Sequence, residues 1–148
     1  MRIKYFIPLL ILSSCDKQPK CSDPKVKELA LENFIKKAKP IIIDNYIKDH
    51  LNYEDLKDYA QTNGYSYDEI LEKEKIKLKD EAEIDAINTF KDIKLEDILT
   101  SKIEKEIKKC DCEASIKGKS INEIEAYYSA QLNDEEKLHV ELLYKVKQ

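Results

Sequence analysis

Apolar residues change their spacing once along this chain, and the change falls close to Phe90. Before it they recur at three- and four-residue steps. Val26, Leu29, Ala30, Phe34 and Ala38 mark one face of a first helix, opened by Ser22-Asp23-Pro24 with a capping side chain and proline in the first turn. Pro40 is expected to interrupt it, so Ile41-Ile42-Ile43, Tyr46, Ile47 and Leu51 read as a second piece or a kinked extension. A short helix runs from Asn52 through Leu56, Tyr59 and Ala60 to a left-handed stop at Asn63-Gly64. Ser66-Tyr67-Asp68-Glu69 reads as a capping box for a further helix to about Asn88. The Glu69/Lys73 and Lys79/Glu83 spacings favour helix there, although Ile76, Leu78, Ala82 and Ile84 also alternate.

After Phe90 the period is two. Ile93 and Leu95 alternate with charged residues, as do Cys110, Cys112, Ala114 and Ile116. Ile124, Ala126, Tyr128, Ala130 and Leu132 follow, then a polar turn at Asn133 to Glu136, then Leu138, Val140, Leu142, Tyr144 and Val146. Between Ile98 and Lys109 the pattern suits a helix as well as a strand. The sum is an α+β fold. N-terminal amphipathic helices cover one face of a C-terminal antiparallel sheet of three to four strands, because a sheet with one apolar face needs a cover.

The first residues follow neither period. Met1-Arg-Ile-Lys is a short basic start, Tyr5 to Leu12 is apolar except for Pro8, and Leu12-Ser13-Ser14-Cys15 is a small-residue step ending on cysteine. The apolar run is too short to span a bilayer, which takes about 20 residues, and has the marks of an export signal. The arrangement resembles the lipobox of bacterial lipoproteins. That resemblance implies cleavage between Ser14 and Cys15, and a diacylglyceryl group with a further N-acyl chain on Cys15. One acyl chain binds a membrane only marginally, so two signals meet the requirement for stable anchoring. Asp16 favours the periplasmic face of the inner membrane, with the outer membrane as the alternative. The expected organisation is a leader over 1–14, a lipidated tether over 15–21 and one α+β domain over 22–148. Its helical part covers 22–89 and its strands 90–148.

Charge narrows the partners. The 148 residues carry 26 basic and 30 acidic side chains, net −4, and removal of Arg2 and Lys4 with the leader makes the balance two units more negative. This excludes nucleic acid as an expected partner, since phosphates select basic patches. A hydrophobic content of 42% is too high for a disordered tether.

Candidate chemistry is sparse. With Cys15 acylated, Cys21, Cys110 and Cys112 remain, enough for one disulfide and one leftover thiol. Cys110 and Cys112 share one face of one strand, so a bridge between them strains an extended backbone. Cys21 bonded to one of the pair staples the first helix to the sheet. Cys112 is the expected partner, lying beside Ala114 in the regular part of its strand. A reactive Cys110 ranks second. A metal site from these cysteines and a histidine ranks third, with no Cys-x-x-Cys or His-x-x-x-His spacing behind it. His50 and His139 read as a helix-end and a wet-face residue. The acidic runs at Asp80 to Asp85 and Asp134 to Glu136 lack the EF-hand spacing and its glycine. Tyr53, Tyr59, Tyr65 and Tyr67 surround Gly64 as a possible binding patch. Of Tyr127 and Tyr128, one must face the core, since adjacent strand residues point to opposite sides.

Leu95-Glu-Asp-Ile98, the Cys112 to Ala114 step, the Tyr128 strand and Leu138-His-Val-Glu-Leu142 look like small uncharacterised bacterial lipoproteins with a helical first half and a sheet in the second. The resemblance carries no catalytic residue over. The expectation is a membrane-anchored, non-catalytic domain, with no cofactor beyond the acyl groups on Cys15, that binds another envelope protein. The alternatives are a phage or plasmid exclusion or immunity lipoprotein, and an inhibitor of an envelope enzyme.

Overall fold

The computed structural model describes residues 17–146. Three helices, α1 (Pro24–His50), α2 (Tyr53–Asn63) and α3 (Tyr67–Phe90), precede four strands, β1 (Lys94–Glu104), β2 (Lys109–Gly118), β3 (Ile121–Leu132) and β4 (Leu138–Val146). The strands form one antiparallel meander in the order β1-β2-β3-β4, and the fold is α+β. The leader, Ser14, Cys15 and Asp16 lie outside the described residues.

Asp23 caps α1 by accepting a hydrogen bond from the Lys25 backbone N–H at 2.9 Å, and Pro24 takes the first helical position. Pro40 does not end the helix. It is exposed, so the carbonyl left without its N–H partner one turn back lies on the solvent side, where water can take the bond. Gly64 closes α2 in the left-handed region, φ 71°, and the Tyr65 N–H returns to the Ala60 carbonyl at 3.0 Å. Ser66 occupies the N-cap position of α3, but its hydroxyl makes no capping bond, so the expected capping box is absent. Asp68 and Glu69 still place acid at the positive end of the dipole. Among the described residues the ion pairs of α3 are Glu72–Lys75 and Glu74–Lys77, at i,i+3, rather than Glu69–Lys73 and Lys79–Glu83.

The ambiguous stretch after Ile98 is strand: β1 runs to Glu104, and a turn brings the chain round to Lys109. Its broken alternation has a cause. The register with β2 shifts between Glu96 and Leu99 and again between Thr100 and Lys102, and Asp97 sits at φ 52°. Such irregularities blunt a free sheet edge. At the other edge α1 does the same work: Asn33 Nδ2 donates to the Val140 carbonyl at 2.8 Å and Lys37 Nζ to the Leu142 carbonyl at 2.7 Å.

Val26, Ala30, Phe34 and Ala38 of α1 meet the inner face of the sheet, where Leu95, Ile116, Ala126, Ala130, Val140 and Leu142 are buried. Phe34 and Phe90 meet edge to face, centroids 5.9 Å apart. The segment expected as a tether is docked from Lys17 onward. Lys17 pairs with Glu136, Gln18 Nε2 donates to the Lys109 carbonyl at 2.9 Å, and Pro19 and Cys21 are buried. Pro19 has apolar surface to hide and Cys21 a covalent partner, so the arm belongs to the body.

Candidate functional site

Three places concentrate chemistry, one buried and two on the surface. The first is a sulfur cluster on the inner face of β2. Cys21, Cys110 and Cys112 are each no more than 2% exposed, and their sulfurs lie within 4.8 Å of one another. Cys21 and Cys112 form a disulfide, with Cα atoms 5.6 Å apart. It closes a loop of 91 residues, for which the chain-entropy model gives about 4.6 kcal/mol. Cys110 keeps its thiol, 3.9 Å from Cys112 Sγ. Burial pushes that thiol's pKa up, against a backbone hydrogen bond from Ala130 that pulls it down. Tyr128 completes the cluster: its hydroxyl donates to the Cys21 carbonyl at 2.9 Å, and burial, with Cys110 beside it, pushes its pKa up to about 12.

These three sulfurs are the group among the described residues that could hold a soft metal ion once reduced. Three thiolates around a mono- or divalent ion carry net negative charge. The described core buries no polar or charged residue that could answer it. The cluster suits neutral sulfur: one bridge and one thiol.

The second is the outer face of the sheet. The helices cover the inner face, and the register lines up Leu99, Glu113, Tyr127 and Leu143 in one row across all four strands. Leu99 is 65% exposed, Leu143 67% and Tyr127 36%. Beside this row lies a shallow groove of about 340 Å³ with Ser101, Asp111, Tyr127, Ser129, Glu141 and Leu143 on its walls. Three exposed apolar side chains interleaved with Glu113 and bordered by further carboxylates and hydroxyls have the mixed composition of a recognition surface. Sequence reasoning missed it. Strand alternation could have placed Tyr127 and Leu143 together, since each is the wet-side neighbour of a core residue. Leu99 was hidden by the bulge in β1.

The third is the tyrosine patch. Tyr53, Tyr65 and Tyr67 share an open groove of about 450 Å³ with Glu54, Lys57 and Ala60. Tyr59 stacks on Tyr65, centroids 6.1 Å apart, but stays outside the groove wall.

The remaining candidates sit elsewhere. His50 stacks on Tyr46, and its Nδ1 lies 2.8 Å from the Tyr46 carbonyl oxygen. His139 is exposed on the outer face opposite Gln131, on the other side of the sheet from Cys110. Asp134 to Glu136 form a turn in which Asn133 Oδ1 accepts from the Glu135 and Lys137 N–H groups. No helix among the described residues is long and apolar enough to cross a membrane. No protein-family model, curated protein or solved structure matches the chain.

Proposed function

We propose that this protein is a lipid-anchored bacterial lipoprotein whose folded body is a non-catalytic module binding another protein of the cell envelope. The row Leu99–Glu113–Tyr127–Leu143 carries the reading. It offers solvent three large apolar side chains, Leu99, Tyr127 and Leu143, with the Glu113 carboxylate set among them, on an antiparallel sheet. Both sheet edges are blunted, by bulges in β1 and by Asn33 and Lys37 at β4, so the face rather than an added strand is the contact. In this reading the acyl groups on Cys15 hold the protein at the membrane, and the docked arm from Lys17 to Cys21 keeps the body close to it.

Two measurements test the reading. Mass spectrometry of the native product is expected to find a mature chain beginning at an acylated Cys15; an intact Met1 and an unmodified sulfur there sink the anchor. Crosslinking of the tagged protein in its native envelope is expected to capture one macromolecule. Tyr127→Thr together with Leu143→Thr is expected to abolish that capture while thermal unfolding stays within about 1 kcal/mol of the parent, since threonine suits a strand and adds no charge opposite Glu113. Failure to capture anything above background, with several linker lengths, removes the binding module. Capture that survives the sheet-face pair moves the contact off the sheet.

A further inference from the structure

The sulfur cluster holds one thiol more than its disulfide needs, and that thiol touches the bridge. Cys110 Sγ is 3.9 Å from Cys112 Sγ and within 4.8 Å of Cys21 Sγ. Cys21 Sγ itself lies 3.5 Å from the carbonyl oxygen of Asp111, the residue between the two strand cysteines. The arm already runs beside both positions, because Gln18 is bonded to the Lys109 carbonyl, one residue before Cys110.

We propose that Cys21 is shared between two partners: the Cys110 thiol can displace Cys112, so the bridge exchanges between Cys21–Cys112 and Cys21–Cys110 and the arm stays stapled in either form. The step is internal. After rotation of its side chain, Cys110 Sγ attacks Cys21 Sγ as the thiolate and forms a new S–S bond. The Cys21–Cys112 bond breaks, Cys112 Sγ leaves with the electron pair, and it takes up the proton that Cys110 released. One disulfide and one thiol are present before and after, so no oxidant or reductant is consumed. Start and end states are both neutral, which suits a core without buried charge among the described residues.

The third pairing is disfavoured. Residues two apart on an extended strand have Cα atoms about 6.7 Å apart, at the upper limit for a disulfide. Attack by Cys110 on Cys112 would make that strained bridge, whereas attack on Cys21 returns a bridge between arm and strand. Side-chain size also favours sharing. Cys110 stands opposite Ala130 and Cys112 opposite Tyr128, so the Cys110 side of the cluster is the one with the small neighbour. A role follows for the spare cysteine: a bridge first closed to either strand residue can be converted to the other without unfolding.

The test is a disulfide map of the oxidised full chain, equilibrated in native buffer with a catalytic amount of small-molecule thiol. The sample is acid-quenched, its free thiols are labelled, and it is cleaved on the N-terminal side of Asp111, which separates Cys110 from Cys112. Both bridged peptides are expected, Cys21–Cys112 in excess. In Cys112→Ser the arm is expected to remain bridged to Cys110. Cys110→Ser combined with Cys112→Ser is expected to lose the bridge and melt roughly 10 °C or more below the parent. Absence of the Cys21–Cys110 peptide from the wild-type map overturns the proposal. So does a Cys112→Ser protein that folds with Cys21 and Cys110 both labelled as free thiols. Should that variant fail to fold, the wild-type map alone decides.

Discussion

The two halves of α1 and α3 live in different surroundings. Val26 to Ala38 of α1 and Phe90 at the end of α3 belong to one core shared with the sheet. Beyond them the helices pack mainly on each other. Along the helices outside the main core, Leu51 beside the end of α1, Ala60, Ala82 and Ala86 are buried, whereas Ile41, Ile76, Ile84 and Ile87 are each more than half exposed. These far parts of α1 and α3, with α2, form a helical arm that buries much less than the body does. The cause is geometric. A sheet face offers a broad surface for a helix stripe to fill, whereas three helices with small residues between them make a thin seam. The body also has the disulfide and the Tyr128 hydrogen bond to its N-terminal arm. Stability should therefore concentrate in the body, with the arm at the low end of local unfolding free energies.

The largest test of that contrast pairs one substitution in each region. Phe34 is 1% exposed and stacked edge to face on Phe90, so Phe34→Ala is expected to cost about 3–5 kcal/mol by lost transfer energy plus a cavity. Ile76 is 67% exposed in the arm, and Ile76→Ala is expected to stay within about 0.5 kcal/mol. Chemical denaturation of both variants beside the parent reads the two values. Equal losses would mean that the arm shares the body's core after all.

A smaller effect confined to the body comes from Tyr128. Its phenol titrates near 12 in the folded chain because burial disfavours the phenolate, against about 10 when unfolded. A raised pKa means that the folded state holds the proton where the unfolded state has released it. Stability is thus intact below pH about 10 and falls as pH rises through about 12, with a slope of up to about 1.4 kcal/mol per unit. Tyr128→Phe removes the titration along with the bond to the Cys21 carbonyl. It is expected to lower stability at neutral pH by about 1 kcal/mol and to flatten the alkaline decline, which urea midpoints across that range would show. An equally steep decline in the variant would assign it to other groups.

The same contrast sets how much the sequence discloses. Period-two alternation from Cys110 to Leu142 puts every odd-or-even partner on its proper face, because a half-buried sheet forces it, and the turn at Asn133 to Glu136 follows. The pairing of Cys21 with Cys112 is legible as a staple between arm and strand. Four things are not legible. The bulges in β1 break the alternation that would have marked it as a strand, so Ile98 to Lys109 suits a helix as well as a strand. Pro40 looks like an interruption, leaving a second piece and a kinked extension both open, because the sequence does not show that its turn faces solvent. The row of Leu99, Tyr127 and Leu143 depends on cross-strand register, which no single strand contains. The docking of Lys17 to Cys21 is hidden likewise, since a polar pentapeptide with one proline looks like a linker until its partner strand is in place.

The smallest expected effect isolates the arm. Gly64 adopts φ 71° at the end of α2, and a Cβ there would meet nothing within 4 Å. The cost of Gly64→Ala is therefore backbone strain alone, about 1 kcal/mol, with no steric contribution from neighbours. Gly64→Asn should recover part of it, since asparagine tolerates the left-handed region better than alanine. If the arm opens independently of the body, hydrogen exchange should place the Gly64→Ala loss in the amides of α2 and the adjoining turns of α3. Those of β2 and β3 should exchange at the parental rate. A loss shared equally by α2 and the central strands would make the two regions one cooperative unit, and the contrast in burial between them would then have no counterpart in stability.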